Sequence, residues 1–174
     1  MRRDTRAKLR SGCPVSTSLE VFGDRWSLLI IRDLMVRGLH TFKSFLASGE
    51  GIASNILADR LHRLERAGIL VAEHEKTDGR RVNYRLTEKG IDLAPIMLDL
   101  LIWGARHEQT ATSCTSLLKM ERNREEILEE VRRRWENRDT TPLIPQFDGE
   151  IARDLARNRR HEHGVGANKD LRRV

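Results

Sequence analysis

The chain has 174 residues, of which 33% are charged and 5% aromatic, and its formal net charge is +6. This length suits one domain with its own core plus an extension. No run of about 18 apolar residues is present, which argues against a transmembrane helix, and the charged first ten residues argue against a signal peptide. Two cysteines, Cys13 and Cys114, are too few for a secreted disulfide scaffold, so the cytoplasm is the expected location.

The excess positive charge lies at the two ends of the chain. Residues 1–10 carry five Arg and Lys against one acid, and residues 153–174 carry seven against three, which leaves 20 basic and 22 acidic residues between them. We interpret residues 1–12 as a basic N-terminal arm. Such ends can attract phosphate without sequence preference, but they are also typical of solvated termini. The net charge alone therefore does not indicate a nucleic-acid partner.

Two helices are predicted before residue 40. The first spans Ser16–Phe22 and ends at Gly23, which interrupts the helical pattern. Asp24 is a suitable N-cap for the second, Arg25–Arg37, whose apolar residues recur with the helical period and which Gly38 ends.

The most informative segment runs from residue 42 to residue 86. A short helix over 42–46, a glycine turn over 48–51 and a second helix over Ser54–Ala67 are followed by a hairpin that pairs Leu70–Lys76 with Val82–Leu86. The Asp78-Gly79 pair is a strong hairpin signal. This order predicts a winged helix-turn-helix, a mainly α-helical fold with a small antiparallel β-hairpin as the wing.

A long helix is predicted from Thr87, its cap, to about His107, with a bend at Pro95. It is apolar on more than one side, so it needs a partner beyond its own domain. We favour the same helix of a second copy, in a homodimer; the alternative is burial under residues 115–137 of the same chain.

The remainder of the chain is predicted as an extension. Residues 110–118 have the composition of a linker after a domain spanning 13–108, and residues 115–160 are interpreted as a helical C-terminal extension. It would contain an amphipathic helix over Met120–Asn137 and a second helix over 149–160. Residues 161–174 are expected to be a disordered tail.

The helix over Ser54–Ala67 has one apolar and one polar face. Leu57, Leu61 and Leu64 fall together and are expected in the core. Asparagine can read adenine, and arginine or histidine can reach guanine or phosphate, so the polar face is a candidate DNA-reading surface, although every amphipathic helix has such a face. Its candidate residues are Ser54, Asn55, Asp59, His62, Arg63 and Arg66.

The wing and the first short helix supply further basic residues. Arg80 and Arg81 follow the predicted hairpin turn, where a pair of arginines suits a narrow minor groove or its phosphates. Lys43 and Arg85 are further candidates for phosphate contacts. Acidic residues lie nearby, so binding is expected to depend strongly on salt.

A set of motifs follows in a fixed order between residues 13 and 107: Cys13-Pro14, LEVFGDRW over 19–26, LLIIRDL over 28–34, Phe42, Phe45, GIASNIL over 51–57, RLHRLERAGIL over 60–70, VNYRLTEKG over 82–90 and Trp103-Gly104. In their order and spacing they resemble the HxlR-type branch of winged-helix transcriptional regulators, which is related to the MarR group. The resemblance implies a homodimer on inverted-repeat operators, with the first predicted helix and the 88–107 helix at the dimer contact. The dimer residues it suggests are Leu19, Phe22, Ile96, Met97, Leu100 and Trp103.

Cys13 occupies the Cys-Pro position that senses oxidants or electrophiles in several members of that family. Arg10 and Lys8 are close in sequence and would favour a thiolate; the alternative is a small buried hydrophobic residue. Cys114 is a candidate resolving partner.

No catalytic arrangement, cofactor fingerprint or metal-ligand spacing is present, and His161-Glu162-His163 lies in the expected tail. The sequence thus predicts a DNA-binding transcriptional regulator, not an enzyme, that acts as a homodimeric repressor under the control of thiol oxidation or a small effector. The effector would lie between the 88–107 helix and the DNA-binding body. Residues 115–174 go beyond the family pattern and would extend the dimer interface or bind an effector. The alternative is a protein-interaction module in which the winged helix is a scaffold and the extension binds the partner.

Overall fold

The protein is mainly helical with one antiparallel hairpin, as given by a computed structural model that describes residues 12–74, 81–108 and 121–143. The predicted fold class is confirmed. In chain order the elements are α1 (Pro14–Phe22), α2 (Arg25–Arg32), a π-helix (Asp33–Arg37), α3 (Phe42–Leu46), α4 (Ser54–Arg66), β1 (Leu70–His74), β2 (Val82–Leu86), α5 (Glu88–Ile91), α6 (Ala94–His107) and α7 (Arg124–Glu136).

Several predictions fall outside the described residues. They are the basic arm before residue 12, the hairpin tip with Asp78-Gly79 and Arg80, the linker over 110–118 with Cys114, the helix over 149–160 and the tail over 161–174. Within the described part of the chain, no helix has both the length and the apolar character needed to cross a bilayer.

The first two helices begin with different caps. α1 begins at Pro14 and not at the predicted Ser16, because proline fits the first turn of a helix and Cys13 takes the N-cap position. Asp24 caps α2 as predicted, since its Oδ1 accepts from the backbone N–H groups of Trp26 and Ser27, each at 3.1 Å.

The predicted single helix over 25–37 is wrong in its second half. The α-helix ends at Arg32, and Asp33–Arg37 forms one π-helical turn that Gly38 closes with a φ of 66°. The wider turn buries Asp33, Val36 and Arg37 together. An apolar period does not reveal such a turn, because two of its three inward residues are charged.

The helix-turn-helix and the hairpin follow the predicted order. A capping box between Thr41 and Ser44 begins α3, and Gly68, with a φ of 70°, lies between α4 and β1. The strands pair from Leu70 opposite Leu86 to His74 opposite Val82. The backbone N–H of Tyr84 also donates to the carbonyl of His40 at 2.7 Å, which fixes β2 to the segment before α3.

The predicted bent helix from residue 88 to residue 107 is two helices. α5 ends at Ile91 and α6 begins at Ala94, so the chain is interrupted around Leu93. Pro95 lies in the first turn of α6, where its missing N–H breaks no hydrogen bond. The proline therefore starts a helix and does not bend one.

The core lies where α4 meets α2, α3 and β1. Phe45, Ile31, Leu57, Leu64 and Leu70 are at most 1% exposed. Val131 of α7 joins this core at 6% exposed, with Ile127 and Leu128 packed against it. Burial under the C-terminal extension, the alternative considered for the apolar surplus of α6, is thus correct for one side of that helix.

The other side of α6 remains on the surface. Ile96 and Leu100 are each 45% exposed and Trp103 is 55% exposed, while Leu19 of α1 is 58% exposed. Two residues predicted at the dimer contact differ: Met97 is 5% exposed inside the chain's own core, and Phe22 is half-buried against it. Met97 was misplaced because α6 is apolar on more than one side, so the sequence does not show which of its sides faces the chain's own core.

Candidate nucleic-acid interface

α4 is held in place by its apolar side and by one arginine. Leu57, Leu61 and Leu64 are buried as predicted. Arg60 donates from Nε to Oδ1 of Asp24 at 2.8 Å, which ties α4 to the cap of α2. Burial raises the pKa of Asp24, but its hydrogen bonds with Ser27 and Arg60 outweigh burial and leave that pKa below the ordinary value. The carboxylate is therefore ionised at neutral pH and accepts all of these bonds.

The opposite side of α4 presents its polar residues to solvent. Asp59 differs from the rest because it is acidic and pairs with Arg60. The other side chains form no hydrogen bond or ion pair with the described part of the chain. All six predicted residues are exposed: Ser54, Asn55, Asp59, His62, Arg63 and Arg66.

The N-terminus of α4 has no side-chain cap, a feature that the sequence interpretation missed. Ala53 takes the N-cap position with an extended backbone, and its methyl group cannot accept a hydrogen bond. The first amide groups of the helix, from Ser54 to Ile56, are therefore without an acceptor among the described residues. Such amides and the positive end of the helix dipole favour an anion such as phosphate. The sequence feature that indicates the missing cap is the alanine at position 53, directly before Ser54.

The turn before α4 is fixed by buried charges. The guanidinium of Arg32 donates to Asp33 at 2.9 Å and to Glu50 at 2.8 Å, and Arg37 donates to the carbonyl of Ser48 at 3.0 Å. Burial raises the pKa of Asp33, and the neighbouring guanidinium groups offset only part of that rise. These contacts set the position of α4 relative to α2, and residue types alone did not reveal them.

The basic residues outside α4 fall into two groups. Lys43 on α3 and Arg81 beside β2 are exposed, as a phosphate contact requires. Arg85 is placed differently: its Nη2 donates to the carbonyl of Trp135 at 2.7 Å, and its guanidinium lies 4.7 Å from the centre of the Trp135 ring. Arg85 therefore faces the C-terminal extension.

The extension forms what we call the clasp, the contacts of residues 135–143 with the hairpin and the π-helix. Nε1 of Trp135 donates to the carbonyl of Leu86 at 2.8 Å, and Arg138 donates to Glu73 at 2.8 and 3.2 Å. Further along, the backbone N–H of Leu143 donates to the carbonyl of Val36 at 2.8 Å. The clasp covers the outer face of the wing's base, a role for the extension that the sequence had left open.

Cys13 lies at the beginning of α1 and is exposed. Its carbonyl accepts a hydrogen bond from Oγ1 of Thr17 at 3.2 Å, within the first turn of the helix. The thiol is thus accessible to a reagent in solution and is not the buried hydrophobic residue of the alternative interpretation. Its predicted partner Cys114 lies outside the described residues.

Comparisons with known proteins give one consistent result. The family model for HxlR-like helix-turn-helix proteins matches residues 21–112. The HTH-type transcriptional regulator YdeP of Bacillus subtilis is 31% identical over 110 residues, which cover 63% of this chain and 85% of YdeP. The HTH-type transcriptional regulator Mb3122 of Mycobacterium bovis is 38% identical over 93 residues, 53% of this chain and 58% of Mb3122.

Among solved structures, the redox regulator HypR in its oxidised form superposes with a TM-score of 0.51 and 31% identity. The superposition covers all of HypR but 56% of this chain. The family match includes α2 through α6 and ends before α7. The clasp thus joins an extension beyond the matched region to strands within it.

Proposed function

Because this chain belongs to the HxlR-like helix-turn-helix family, whose matched relatives are transcriptional regulators, we propose that it represses transcription by binding an inverted-repeat DNA operator as a homodimer. Regulation of transcription through a DNA-binding helix-turn-helix is the function of the family. The observation that carries the finer proposal is the exposed polar face of α4, anchored on its other side by three buried leucines.

In this proposal the residues of α4 divide by reach and chemistry. Asn55 and His62 contact base edges in the major groove, where an amide can pair with adenine. Arg63 and Arg66 contact phosphate, together with Lys43 from α3 and Arg81 from the wing. The uncapped amides at Ser54 receive a further phosphate oxygen.

The homodimer is proposed from the apolar surface of α1 and α6. Leu19, Ile96, Leu100 and Trp103 are each at least 45% exposed. Large apolar side chains in this number on two helices favour a covering partner. A second copy supplies the same surface and matches two half-sites of an inverted repeat.

Control through Cys13 is proposed from its exposure and from the likeness to HypR, which is a redox regulator. Oxidation joins the Cys13 thiol to a second thiol, either Cys114 or Cys13 of the other copy. Two protons and two electrons pass to an oxidant such as diamide. The new disulfide would shift α1 within the dimer contact and weaken operator binding.

The test is selection of bound sites from random duplexes by the reduced full-length protein. We expect enrichment of inverted repeats whose half-sites lie about one helical turn apart, bound by two chains per duplex. Asn55→Ala should lower the preference for one base pair in each half-site by about 1–3 kcal/mol. Asn123→Ala, at an exposed asparagine before α7 whose side chain forms no capping hydrogen bond, is the matched control and should change nothing.

Other outcomes would contradict specific parts of the proposal. Equal losses on selected and random duplexes would remove base reading from Asn55, and a lack of any enriched sequence would favour the protein-interaction module. Transcription that rises on adding the protein to a promoter with the selected site would make it an activator. If diamide weakens operator binding by a Cys13→Ser variant as much as by the native chain, Cys13 is excluded as the sensor.

A further inference from the structure

A pocket lies where the π-helix, β2 and α7 meet. Its volume is about 240 Å³. Leu34 and Met35 line it from the π-helix, Asn83 and Arg85 from β2, and Trp135 from α7. The pocket therefore requires the C-terminal extension, which lies beyond the residues that the family model matches.

The apolar part of the lining suits one small ring. Ile91 and Val131 add to the side chains of Leu34 and Met35, and all four are buried or half-buried. A cavity of about 150 Å³ lined by apolar side chains holds benzene. The larger volume of this pocket leaves room for one ring and a short polar substituent, and it is below the range typical of drug-sized ligands.

The pocket carries one arginine whose charge is not balanced. Arg138 pairs with Glu73, and Arg134 pairs with Glu130. Arg85 has no carboxylate within salt-bridge distance in the described ranges, and its guanidinium contacts the carbonyl and the ring of Trp135. A guanidinium has five N–H donors in a planar fork that matches a carboxylate. Arg85 therefore has donors left for an anion.

Two more polar side chains, His40 and Asn83, line the same pocket. Nδ1 of His40 lies 2.9 Å from the carbonyl oxygen of Gly38, so Nδ1 carries the proton of the neutral ring and Nε2 is an acceptor. The side-chain amide of Asn83 has no hydrogen-bond partner in the described part of the chain. Convergent polar groups beside a set of apolar side chains are typical of a ligand site.

We propose that this pocket binds a small aromatic carboxylate, with the carboxylate on Arg85 and Asn83 and the ring among Leu34, Met35 and Val131. Nε2 of His40 would accept from a ring hydroxyl or amino group. The ligand would change the contact between Arg85 and Trp135, and so the clasp on the wing. That regulatory consequence rests on the proposed function in DNA binding, whereas the binding itself does not.

The experiment is calorimetric titration of the full-length protein, without DNA, with benzoate and with the neutral benzamide. Because a hydrogen bond to a charged group is stronger than one between neutral groups, benzoate should bind about tenfold more tightly than benzamide. Arg85→Gln should remove this preference and leave benzamide binding unchanged. Arg133→Gln, at an exposed arginine of α7 that does not line the pocket, is the matched control and should preserve it.

Equal affinities of the native chain for the two probes, or no heat up to about 10 mM of either, would overturn the proposal. The proposal would also be overturned if Arg85→Gln and Arg133→Gln reduced the preference for benzoate over benzamide to the same degree. If Arg85→Gln weakens benzamide binding too, the variant has lost packing, and Asn83→Ala then decides. It should weaken benzoate binding more than benzamide binding, because a hydrogen bond to the charged acceptor is stronger. An unchanged affinity for benzoate would refute the site. Since DNA is not present in this titration, a negative result leaves the operator proposal standing. In the same way, a failure of operator binding leaves the proposed ligand site standing.

Discussion

Helix α4 and the hairpin form the same candidate surface but are held in different ways. α4 is fixed by its buried leucines and by the ion pair of Arg60 with Asp24, all within the residues that the family model matches. The hairpin has its outer face covered by the clasp, through Trp135 and Arg138 of the extension. The difference teaches that one fold can hold its helix by contacts within the family region and its hairpin by contacts with an extension. Three substitutions separate the two.

The largest effect is expected at Gly38, which closes the π-helix beneath the clasp. A Cβ there would overlap the backbone carbonyl of Thr140, and the φ of 66° is itself unfavourable for alanine. We expect Gly38→Ala to lower the free energy of unfolding by about 3 kcal/mol, measured by urea denaturation. Gly51→Ala, where φ is 75° and no atom lies within 4 Å, isolates the backbone cost of about 1 kcal/mol. Equal losses in the two variants would contradict the close packing of the clasp.

An intermediate effect is expected at Trp135, which joins α7 to β2. Trp135→Ala removes a half-buried ring and the hydrogen bond to the carbonyl of Leu86, at a cost of about 2 kcal/mol. Amide hydrogen exchange should rise over Val82–Leu86 and stay constant over Ser54–Arg66. Trp135→Phe keeps a ring without the donor and should cost about 1 kcal/mol. If amide exchange in α4 rose as much as exchange over Val82–Leu86, the helix and the wing would not be independent.

The smallest effect is expected at Asp24, which belongs to the α4 side of the comparison. Asp24→Ala removes the cap of α2 and the partner of Arg60, and should cost about 1–2 kcal/mol at neutral pH. The folded-state pKa of Asp24 lies below its ordinary value of 3.8, so its contribution is complete above that value and is lost as the pH falls through the lower folded value. The difference in unfolding free energy between native and variant should therefore shrink at acid pH.

The control for Asp24 is the other carboxylate on Arg60. Asp59→Ala removes an exposed ion pair without a cap and should cost less than about 1 kcal/mol. Urea denaturation of both variants at neutral pH and at about pH 3 gives the comparison. A loss for Asp24→Ala that is the same at both pH values would exclude an ionised cap.

The sequence was sufficient to predict those features that depend on residues close together along the chain. The leucines of α4 recur every three or four residues, so its start at Ser54 was correct and its end was misjudged by one residue. Asp24 and Gly38 were identified as helix boundaries because their local chemistry differs from that of the helix. The exposed candidate residues of α4 followed from the same period.

The sequence was insufficient where distant segments meet. Arg85 and Trp135 are 50 residues apart, and an arginine in a hairpin is equally suited to phosphate and to an indole ring. The break between α5 and α6 escaped prediction because Pro95 can either bend a helix or begin one. The π-helix and the end of α2 bury charged residues, Arg32 and Arg37, whose partners Glu50 and Ser48 come from a later turn.

The uncapped start of α4 makes the unbound protein less stable than it would be with a capping side chain at position 53. Serine or aspartate at position 53 would accept an amide hydrogen bond in the extended conformation that Ala53 already has, which is worth about 1 kcal/mol. With alanine there, the amides remain bonded to water until an anion replaces it. Under the proposed function this is a trade-off between stability and activity, in which the operator itself supplies the missing cap and the folded state gains its full cohesion only on DNA.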